Sequence, residues 1–173
     1  FVKKAEGGYT LDKEGLRYVD RISEASMNVR LQPKIITMLV LQNSDGEILL
    51  QKRMKQPYID LWTLPYGKVH VDDVSIEAAA LREAFEKVNL TKLKLIHAGD
   101  CYIRVSADDQ NITSTIAHVF KCVVDNVKQK ENQIWVNPRE LSNYDLAPAV
   151  EKIISRTFFN DVHFFEEFFE EFA

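Results

Sequence analysis

Apolar residues in the middle of the chain follow the pattern of strands. Residues 35–41 are apolar apart from one threonine, and such a continuous run is typical of a strand buried on both faces. Residues 43–46, Asn-Ser-Asp-Gly, predict a tight turn, because Asp-Gly readily supplies the positive φ that such a turn requires. The following residues, 47–53, predict the second strand of a hairpin. Three further strands are predicted where apolar and polar residues alternate, over 93–103, 112–124 and 134–136.

One segment changes to helical spacing, which predicts a helix over residues 75–88. Its apolar residues recur in steps of three and four and are Ile76, Ala79, Ala80, Ala84 and Val88. Asp72 and Asp73 are expected to cap its start, and Asn89 is expected to take the left-handed conformation that ends it. The later helices are predicted over 138–141 and 146–158. Strands, one helix, further strands and then helices are the order of an α+β fold.

Pro33 marks a boundary between an N-terminal extension, residues 1–32, and a main domain, residues 33–158. The residue pattern of the extension predicts a short strand followed by a helix. This order is similar to the wing strand and last helix of a winged-helix unit. The apolar residues of that helix are Leu16, Val19 and Ile22. A packed extension is the main interpretation there, and a DNA-reading role is the lesser alternative.

The C-terminal residues 159–173 hold six of the ten phenylalanines, separated by pairs of glutamates. At helical spacing these aromatic side chains nearly surround the axis. The segment is therefore expected to be a helix or tail that packs on the domain or on a second copy of the chain, which makes a homodimer the expected assembly.

Composition narrows the classes of partner. The chain has 22 Lys and Arg against 26 Asp and Glu, a net charge of -4, and sequence-independent nucleic-acid binding needs a basic surface, so a nucleic-acid partner is not expected. The longest apolar run, 35–41, is far shorter than the ~20 residues of a membrane-spanning helix. Cys101 and Cys122 lie in apolar, β-branched surroundings and are expected to be buried thiols, which favours a reducing, cytoplasmic compartment.

Candidate chemistry lies between residues 67 and 90. Glu83 and Glu86 are three residues apart and share a face of the predicted helix, where their charges repel. A hard dication such as Mg²⁺ relieves that repulsion, and Arg82, four residues before Glu86, relieves it in part. A turn at Gly67 lets the backbone approach closely enough for its carbonyl to add a ligand. The alternative is an ordinary charged helix face.

This segment resembles the Nudix box, G-x5-E-x7-R-E-U-x-E-E-x-G-U, where U is a bulky aliphatic residue. Gly67 matches the first glycine, Arg82 and Glu83 match the R-E pair, Glu86 matches the first glutamate of the E-E pair, and Leu90 matches the final aliphatic residue. Flanking segments are also similar, so the likeness spans about residues 34–157. The resemblance implies a Nudix-type α/β/α sandwich with a mixed central sheet.

Several residues depart from the pattern. Lys87 stands where the family has the second glutamate of the E-E pair, which removes a metal ligand and adds an ammonium group. Asp73, or alternatively Asp72, stands where the family has the first glutamate, and the spacing from Asp73 to Arg82 is one residue longer. Lys87 therefore either opposes a metal ion or contacts a substrate phosphate in its place, and the sequence leaves both alternatives open.

The resemblance implies hydrolysis of a pyrophosphate bond in a nucleoside diphosphate linked to another moiety, with Mg²⁺ or Mn²⁺ as cofactor. Glu83, Glu86 and Arg82 take the catalytic roles, and Glu83, Glu86 and the carbonyl of Gly67 hold the metal. The candidate substrate-binding residues are Lys87, Arg53, Tyr58, Trp62 and Glu131. The alternatives are a catalytically weak or inactive nucleotide-binding module with a regulatory role, and an interaction role for the phenylalanine-rich tail.

Overall fold

The chain divides into two compact units after Gln32, and the computed structural model describes residues 1–19, 31–125, 127–159 and 163–172. The first unit has an antiparallel hairpin of β1 (Val2–Ala5) and β2 (Gly8–Leu11), followed by helix α1 (Lys13–Val19). Asp12 caps this helix, because its Oδ1 accepts a hydrogen bond of 2.8 Å from Gly15 N. The predicted extension of the helix to Ile22 lies outside the described residues.

The second unit is built on one mixed sheet of eight strands. Its strands are β3 (Lys34–Gln42), β4 (Ile48–Lys52), β5 (Trp62–Thr63), β6 (Tyr66–Lys68), β7 (Ile96–Ala107), β8 (Gln110–Val123), β9 (Gln133–Val136) and β10 (Phe164–Glu171). Their order is β10-β7-β8-β3-β4-β5, with β6 paired to β3 and β9 paired to β4. The β3–β8 and β10–β7 pairs are parallel and the other pairs are antiparallel.

The sheet is covered by helices on both faces, which confirms the α/β/α sandwich. The helical elements are α2 (Ile76–Val88), a 3-10 helix (Pro138–Asn143) and α3 (Val150–Phe159). Side chains alternate along β3: Met38 and Val40 join one core with Ile153 of α3, whereas Leu39 joins a second core with Ala84 of α2. The apolar run is therefore the central strand, buried on both faces. Among the described residues, no helix is long and apolar enough to cross a membrane.

Helix α2 begins one residue later than the predicted segment, and its cap is Ser75 rather than Asp72 or Asp73. Ser75 is extended at φ -159°, and its side chain accepts a hydrogen bond of 3.0 Å from Ala78 N. Asp73 is not the cap because its carboxylate is engaged elsewhere, as described below. Asn89 ends the helix in the left-handed conformation, at φ 56° and ψ 34°, as the sequence predicted.

The C-terminal segment is a strand, so the expectation of a helix was wrong. The repeat Phe-Phe-Glu-Glu places a phenylalanine every fourth residue, which fits one face of a helix and one face of a strand equally well. Gly99 decides between them: β10 pairs Phe164 with Gly99, and a Cβ on Gly99 would lie 2.5 Å from the Phe164 ring. Phe164 and Phe168 are buried while Phe165 and Phe169 are exposed, and Glu166 forms an ion pair of 2.7 Å with Arg156.

Both cysteines are buried on strands, Cys101 in β7 and Cys122 in β8, as predicted. Burial raises the pKa of Cys101 to about 12. A thiol with such a pKa stays protonated and unreactive at neutral pH, so Cys101 serves packing.

Candidate functional site

The backbone of Gly67 lies directly against the carboxylate of Glu83. Gly67 is in the middle of β6, paired with Thr37 of β3, and Glu83 projects from α2 toward it. A Cβ at position 67 would overlap the Glu83 carboxyl group. Gly67 is therefore required by close packing within a strand, not by a turn as the sequence suggested. Only 4% of Glu83 is exposed.

Arg82 fixes the orientation of that carboxylate. Its Nη1 donates to Glu83 Oε1 at 2.7 Å, and its Nη2 donates to the carbonyl oxygen of Lys68 at 2.9 Å. The other edge of the guanidinium forms a two-pronged pair with Asp73, at 2.9 Å to Oδ1 and 2.8 Å to Oδ2. A two-pronged pair of this kind holds the guanidinium in a defined orientation. Through these hydrogen bonds Arg82 connects α2, β6 and the loop between them.

Asp73, and not Asp72, is the acidic partner in that loop. The hydrogen bonds from Arg82, together with one of 2.7 Å from His70 N, hold the pKa of Asp73 well below its usual value. The same contact with Asp73 raises the pKa of Arg82. Both groups are therefore charged at neutral pH.

Glu86 and Lys87 lie one turn further along α2. The Glu86 side chain is 51% exposed, and its Oε1 lies 3.5 Å from Arg82 Nη1. The carbonyl oxygens of Glu86 and Lys87 accept hydrogen bonds from Lys130 Nζ at 3.2 Å and Gln133 Nε2 at 3.1 Å. These contacts attach the end of α2 to the residues around the start of β9.

These two segments, together with β4, the loop after it and β6, line a cleft of about 550 Å³, here called the box cleft. Its lining residues are Gln51, Lys52, Arg53, Met54, Lys55, Tyr66, Gly67, Lys68, His70, Glu83, Glu86, Lys87, Lys130, Asn132 and Gln133. Six of them are cationic and two are carboxylates. Although the whole chain is acidic, this surface is basic, and a concave basic surface attracts anions.

The residues of the box cleft do not fit a Mg²⁺ or Mn²⁺ ion held mainly by carboxylates. Such ions prefer several oxygen ligands, but the lining supplies two carboxylates, Glu83 and Glu86, and Lys87 replaces the expected third. Within the described part of the chain, no third His, Cys, Asp or Glu atom joins Glu83 and Glu86 as a compact ligand group. Two carboxylates surrounded by six cations are a better match to an anion.

A second cavity of about 350 Å³, here called the side cavity, adjoins the box cleft. The two share Arg53, Lys55, Tyr66 and Lys68. The remaining lining of the side cavity is largely apolar and includes Ile36, Met38, Ile103, Val105 and Pro148. A charged cleft that continues into an apolar cavity suits a ligand with a charged and an uncharged part.

Arg53 and two tyrosines stand at the junction of these spaces. Arg53 donates to the hydroxyl of Tyr66 and to the carbonyl of Pro57, and its guanidinium carbon lies 5.5 Å from the ring centre of Tyr58. The Tyr58 hydroxyl is hydrogen-bonded to Thr113 at 2.6 Å, and burial raises its pKa. Tyr58 is thus fixed as a wall of the side cavity.

Two predicted substrate-binding residues are not at either space. Trp62 is half-buried on β5, where its ring packs edge-on against Tyr144 at 6.4 Å. Glu131 is exposed and lines neither the box cleft nor the side cavity, although its neighbours Lys130 and Asn132 line the cleft.

Sequence reasoning missed most of the cations in the box cleft. Lys52 ends β4, Lys68 follows Gly67 in β6, Lys55 lies in the loop after β4, and Lys130 precedes β9. Their convergence depends on strand pairing. The one signal available in advance was Lys68, which is adjacent to the glycine of the motif.

Comparison with known proteins agrees with the fold of the second unit. A family model described as "NUDIX domain" matches residues 32–158. The chain is similar to a MutT protein of Bacillus halodurans, with 17% identity, 79% of this chain and 89% of that chain covered, and a TM-score of 0.65. It is similar to the Nudix domain of Shewanella oneidensis NrtR, solved with ADP ribose, with 16% identity, 82% and 94% covered, and a TM-score of 0.59.

A structure of NrtR complexed with a 27mer DNA also matches, with 17% identity and a TM-score of 0.59. The match covers 71% of this chain and 59% of that chain. At these identities the structural likeness shows the fold alone.

Proposed function

This chain belongs to the Nudix family, and we propose from that premise that it binds a nucleoside diphosphate joined to another moiety, with basic side chains holding the diphosphate. The observation that carries this proposal is the charge of the box cleft, six cationic side chains against two carboxylates. Lys87 occupies the position where the box pattern has an acidic residue, so the charge that a metal would supply to the phosphates comes from the protein.

The chemistry of the lining matches a diphosphate. Hydrogen bonds from ammonium and guanidinium groups to phosphate oxygens are charge-assisted and about twice as strong as neutral ones. The cations come from β4 and the loop after it, from β6, from α2 and from the loop before β9, so they surround a ligand from several sides. Glu83 is withdrawn onto Gly67 and paired with Arg82, which reduces its repulsion of an anion.

The side cavity suits the nucleoside. Its apolar lining and the ring of Tyr58 offer surface to a base, and it shares Arg53 and Lys68 with the box cleft. A molecule with phosphates in the cleft and a base in the cavity fills both. The similar NrtR domain was solved with ADP ribose, which is a molecule of this class and a suitable first probe.

The test is calorimetric titration with a diphosphate panel, which consists of ADP and ADP-ribose. Each ligand is titrated in EDTA and again in Mg²⁺, and the mixtures are then analysed for products by chromatography. We expect binding of similar affinity in both buffers and recovery of the intact ligand. Binding that requires Mg²⁺ would contradict the proposal.

Metal-dependent hydrolysis of the same ligand is the second candidate function. The observation that favours it is the arrangement of Glu83 on Gly67 and against Arg82, which retains the core of the motif. If the chain is a hydrolase, Glu83→Gln abolishes product formation. Glu77→Gln, which changes an exposed glutamate of the same helix, is the matched control and leaves product formation unchanged. Intact ligand after long incubation with wild-type protein and Mg²⁺ or Mn²⁺ excludes this candidate for the panel.

Three expectations about partners and location stay predictions: a homodimer, a cytoplasmic location and the lack of a nucleic-acid partner. For the homodimer, β10 is the edge strand of its sheet and exposes Phe165 and Phe169. Size measurement in solution with Phe165→Ser and Phe169→Ser tests whether these side chains hold two copies together.

A further inference from the structure

Three of the four histidines in the sequence surround one aspartate at the edge of the sheet. His97 Nε2 lies 2.8 Å from Asp100 Oδ1, and His163 Nε2 lies 3.1 Å from Asp100 Oδ2. His118 Nδ1 approaches Asp100 Oδ1 at 2.6 Å. The ring centres of His97 and His163 are 4.4 Å apart. None of these residues lines the box cleft or the side cavity.

An irregularity in β7 brings the first two residues together. Residues i and i+3 of a regular strand point to opposite faces, but the pairing of β7 with β8 shifts between His97 and Gly99. A bulge of this kind adds one residue and turns the following side chains over, so His97 and Asp100 share a face. On the neighbouring strand, His118 pairs directly with Asp100.

The residue just before the C-terminal strand is the third histidine, His163. β10 runs parallel to β7 and begins with Phe164 paired to Gly99. His163 is one residue earlier in the chain, beside the bulge, where its ring reaches His97 and Asp100.

We propose that His97, Asp100 and His163 form a binding site for a divalent transition-metal ion, with Zn²⁺ as the best match. One ligand atom from each of the three lies within 4.8 Å of the other two. Ligand atoms bound to tetrahedral zinc at 2.0–2.2 Å are about 3.3–3.6 Å from one another. The present distances, 2.8 Å from His97 Nε2 to Asp100 Oδ1 and 3.1 Å from His163 Nε2 to Asp100 Oδ2, need only a small expansion to admit an ion.

The donor types select the class of ion. Two imidazole nitrogens and one carboxylate suit borderline-soft ions such as Zn²⁺, whereas Mg²⁺ and Ca²⁺ prefer oxygen ligands alone. The side chains of His97 and His163 are 40% and 46% exposed, so an ion can enter without opening the core. The fourth position of a tetrahedral ion remains open to water or to a further ligand.

His118 is a positioning residue for this site. Its hydrogen bond to Asp100 Oδ1 fixes the carboxylate, as partners behind metal ligands commonly do. Among the described residues, no Lys or Arg forms an ion pair with Asp100, so its negative charge is available to a cation. A bound ion would join β10 to β7 where their pairing begins.

The test uses protein without a histidine tag, titrated with ZnCl₂ in a calorimeter. We expect one equivalent of zinc to bind and the melting temperature to rise. His97→Ala and His163→Ala are expected to lose this binding, and His118→Ala to weaken it about 10- to 100-fold, the usual effect of removing a supporting hydrogen bond. Co²⁺ is the second probe, because four-coordinate Co²⁺ absorbs visible light far more strongly than the hydrated ion.

Two control variants locate the ion. His70→Ala removes the fourth histidine, and Glu83→Gln combined with Glu86→Gln removes the carboxylates of the box cleft; both are expected to keep zinc binding. Melting curves without metal show whether each variant is folded. Absence of saturable zinc binding, zinc binding retained by folded His97→Ala/His163→Ala protein, or zinc binding lost with the glutamates would overturn the proposal.

Discussion

Two regions of the same domain bring carboxylates together, and the groups around those carboxylates differ. In the box cleft, Glu83 is paired with Arg82, and six cationic side chains line the space. Around Asp100 there are three imidazoles, which carry a lone pair when neutral. The first surrounding favours an anion and the second favours a cation. The charge of the groups around a carboxylate thus sets whether its surroundings favour an anion or a cation.

The two regions also differ in how they are held. The box cleft is built on the centre of the sheet and on α2, and Arg82 joins three of its segments through hydrogen bonds of 2.7–2.9 Å. One member of the histidine cluster, His163, immediately precedes β10, an edge strand whose pairing with β7 begins at Phe164. Loss of β10 packing should therefore affect zinc binding and leave the box cleft intact.

Phe164→Ala is expected to have the largest effect. Phe164 is buried against Gly99, and truncation of a buried phenylalanine typically costs about 3–5 kcal/mol of unfolding free energy. Zinc binding should weaken as strongly as in His163→Ala, while the diphosphate panel binds as before, because β10 contributes no side chain to either ligand space. Chemical denaturation and calorimetry measure the two effects.

Phe165→Ala is the matched control on the same strand. Its side chain is 69% exposed, so both stability and zinc binding should change little. Equal zinc affinity in wild type and Phe164→Ala would show that β10 is not needed for the histidine cluster.

Gly67→Ala is expected to have the opposite effect to Phe164→Ala, because it should weaken binding of the diphosphate panel and leave zinc binding unchanged. The added methyl group overlaps the Glu83 carboxyl group, and overpacking of this kind typically costs about 1–3 kcal/mol. Displaced from Gly67, the Glu83 carboxylate projects further into the box cleft and repels the diphosphate more strongly, so binding of the panel falls while zinc binding is retained. Unchanged panel affinity in this variant would show that the position of Glu83 has no influence on the cleft.

Added salt should produce a smaller difference between the two regions, because it weakens diphosphate binding more than zinc binding. Diphosphate binding by exposed cations is screened at high ionic strength, since the Debye length falls from ~10 Å at 0.1 M to ~3 Å at 1 M. The affinity for the panel should fall severalfold over this range, whereas zinc coordination by neutral imidazole should change little. A salt-independent panel affinity would contradict an electrostatic cleft.

The smallest expected effect is a change in melting temperature at acidic pH, caused by loss of the ion pair between Asp73 and Arg82. Arg82 holds the pKa of Asp73 below its usual value, so the ion pair contributes its full stability above the unfolded pKa of ~3.9 and loses it as the pH falls through the folded pKa. Below about pH 4 the melting temperature of wild type should therefore fall more steeply than that of Arg82→Met. Parallel curves would show that the pair contributes nothing to folding.

The sequence predicted the central strand, α2, its end at Asn89 and the Gly67–Glu83–Arg82 core, because each depends on local periodicity or on a motif of fixed spacing. It misassigned β10, since a repeat of four residues suits a helix and a strand alike and only the space above Gly99 decides. It missed the cations of the box cleft and the histidine cluster. Those residues are distant in sequence, and a bulge in β7 reverses the face that simple alternation assigns to Asp100.

The central claim is that basic side chains of the box cleft, rather than a metal ion, hold the diphosphate. The most direct measurement is the affinity of Lys87→Glu for the diphosphate panel in EDTA, beside wild type and beside Lys94→Glu, an exposed lysine that does not line the cleft. A lost hydrogen bond to a charged group is worth about 1.5–3 kcal/mol, so Lys87→Glu should bind about 10- to 100-fold more weakly and Lys94→Glu as tightly as wild type. Equal affinity in Lys87→Glu and wild type would contradict the claim.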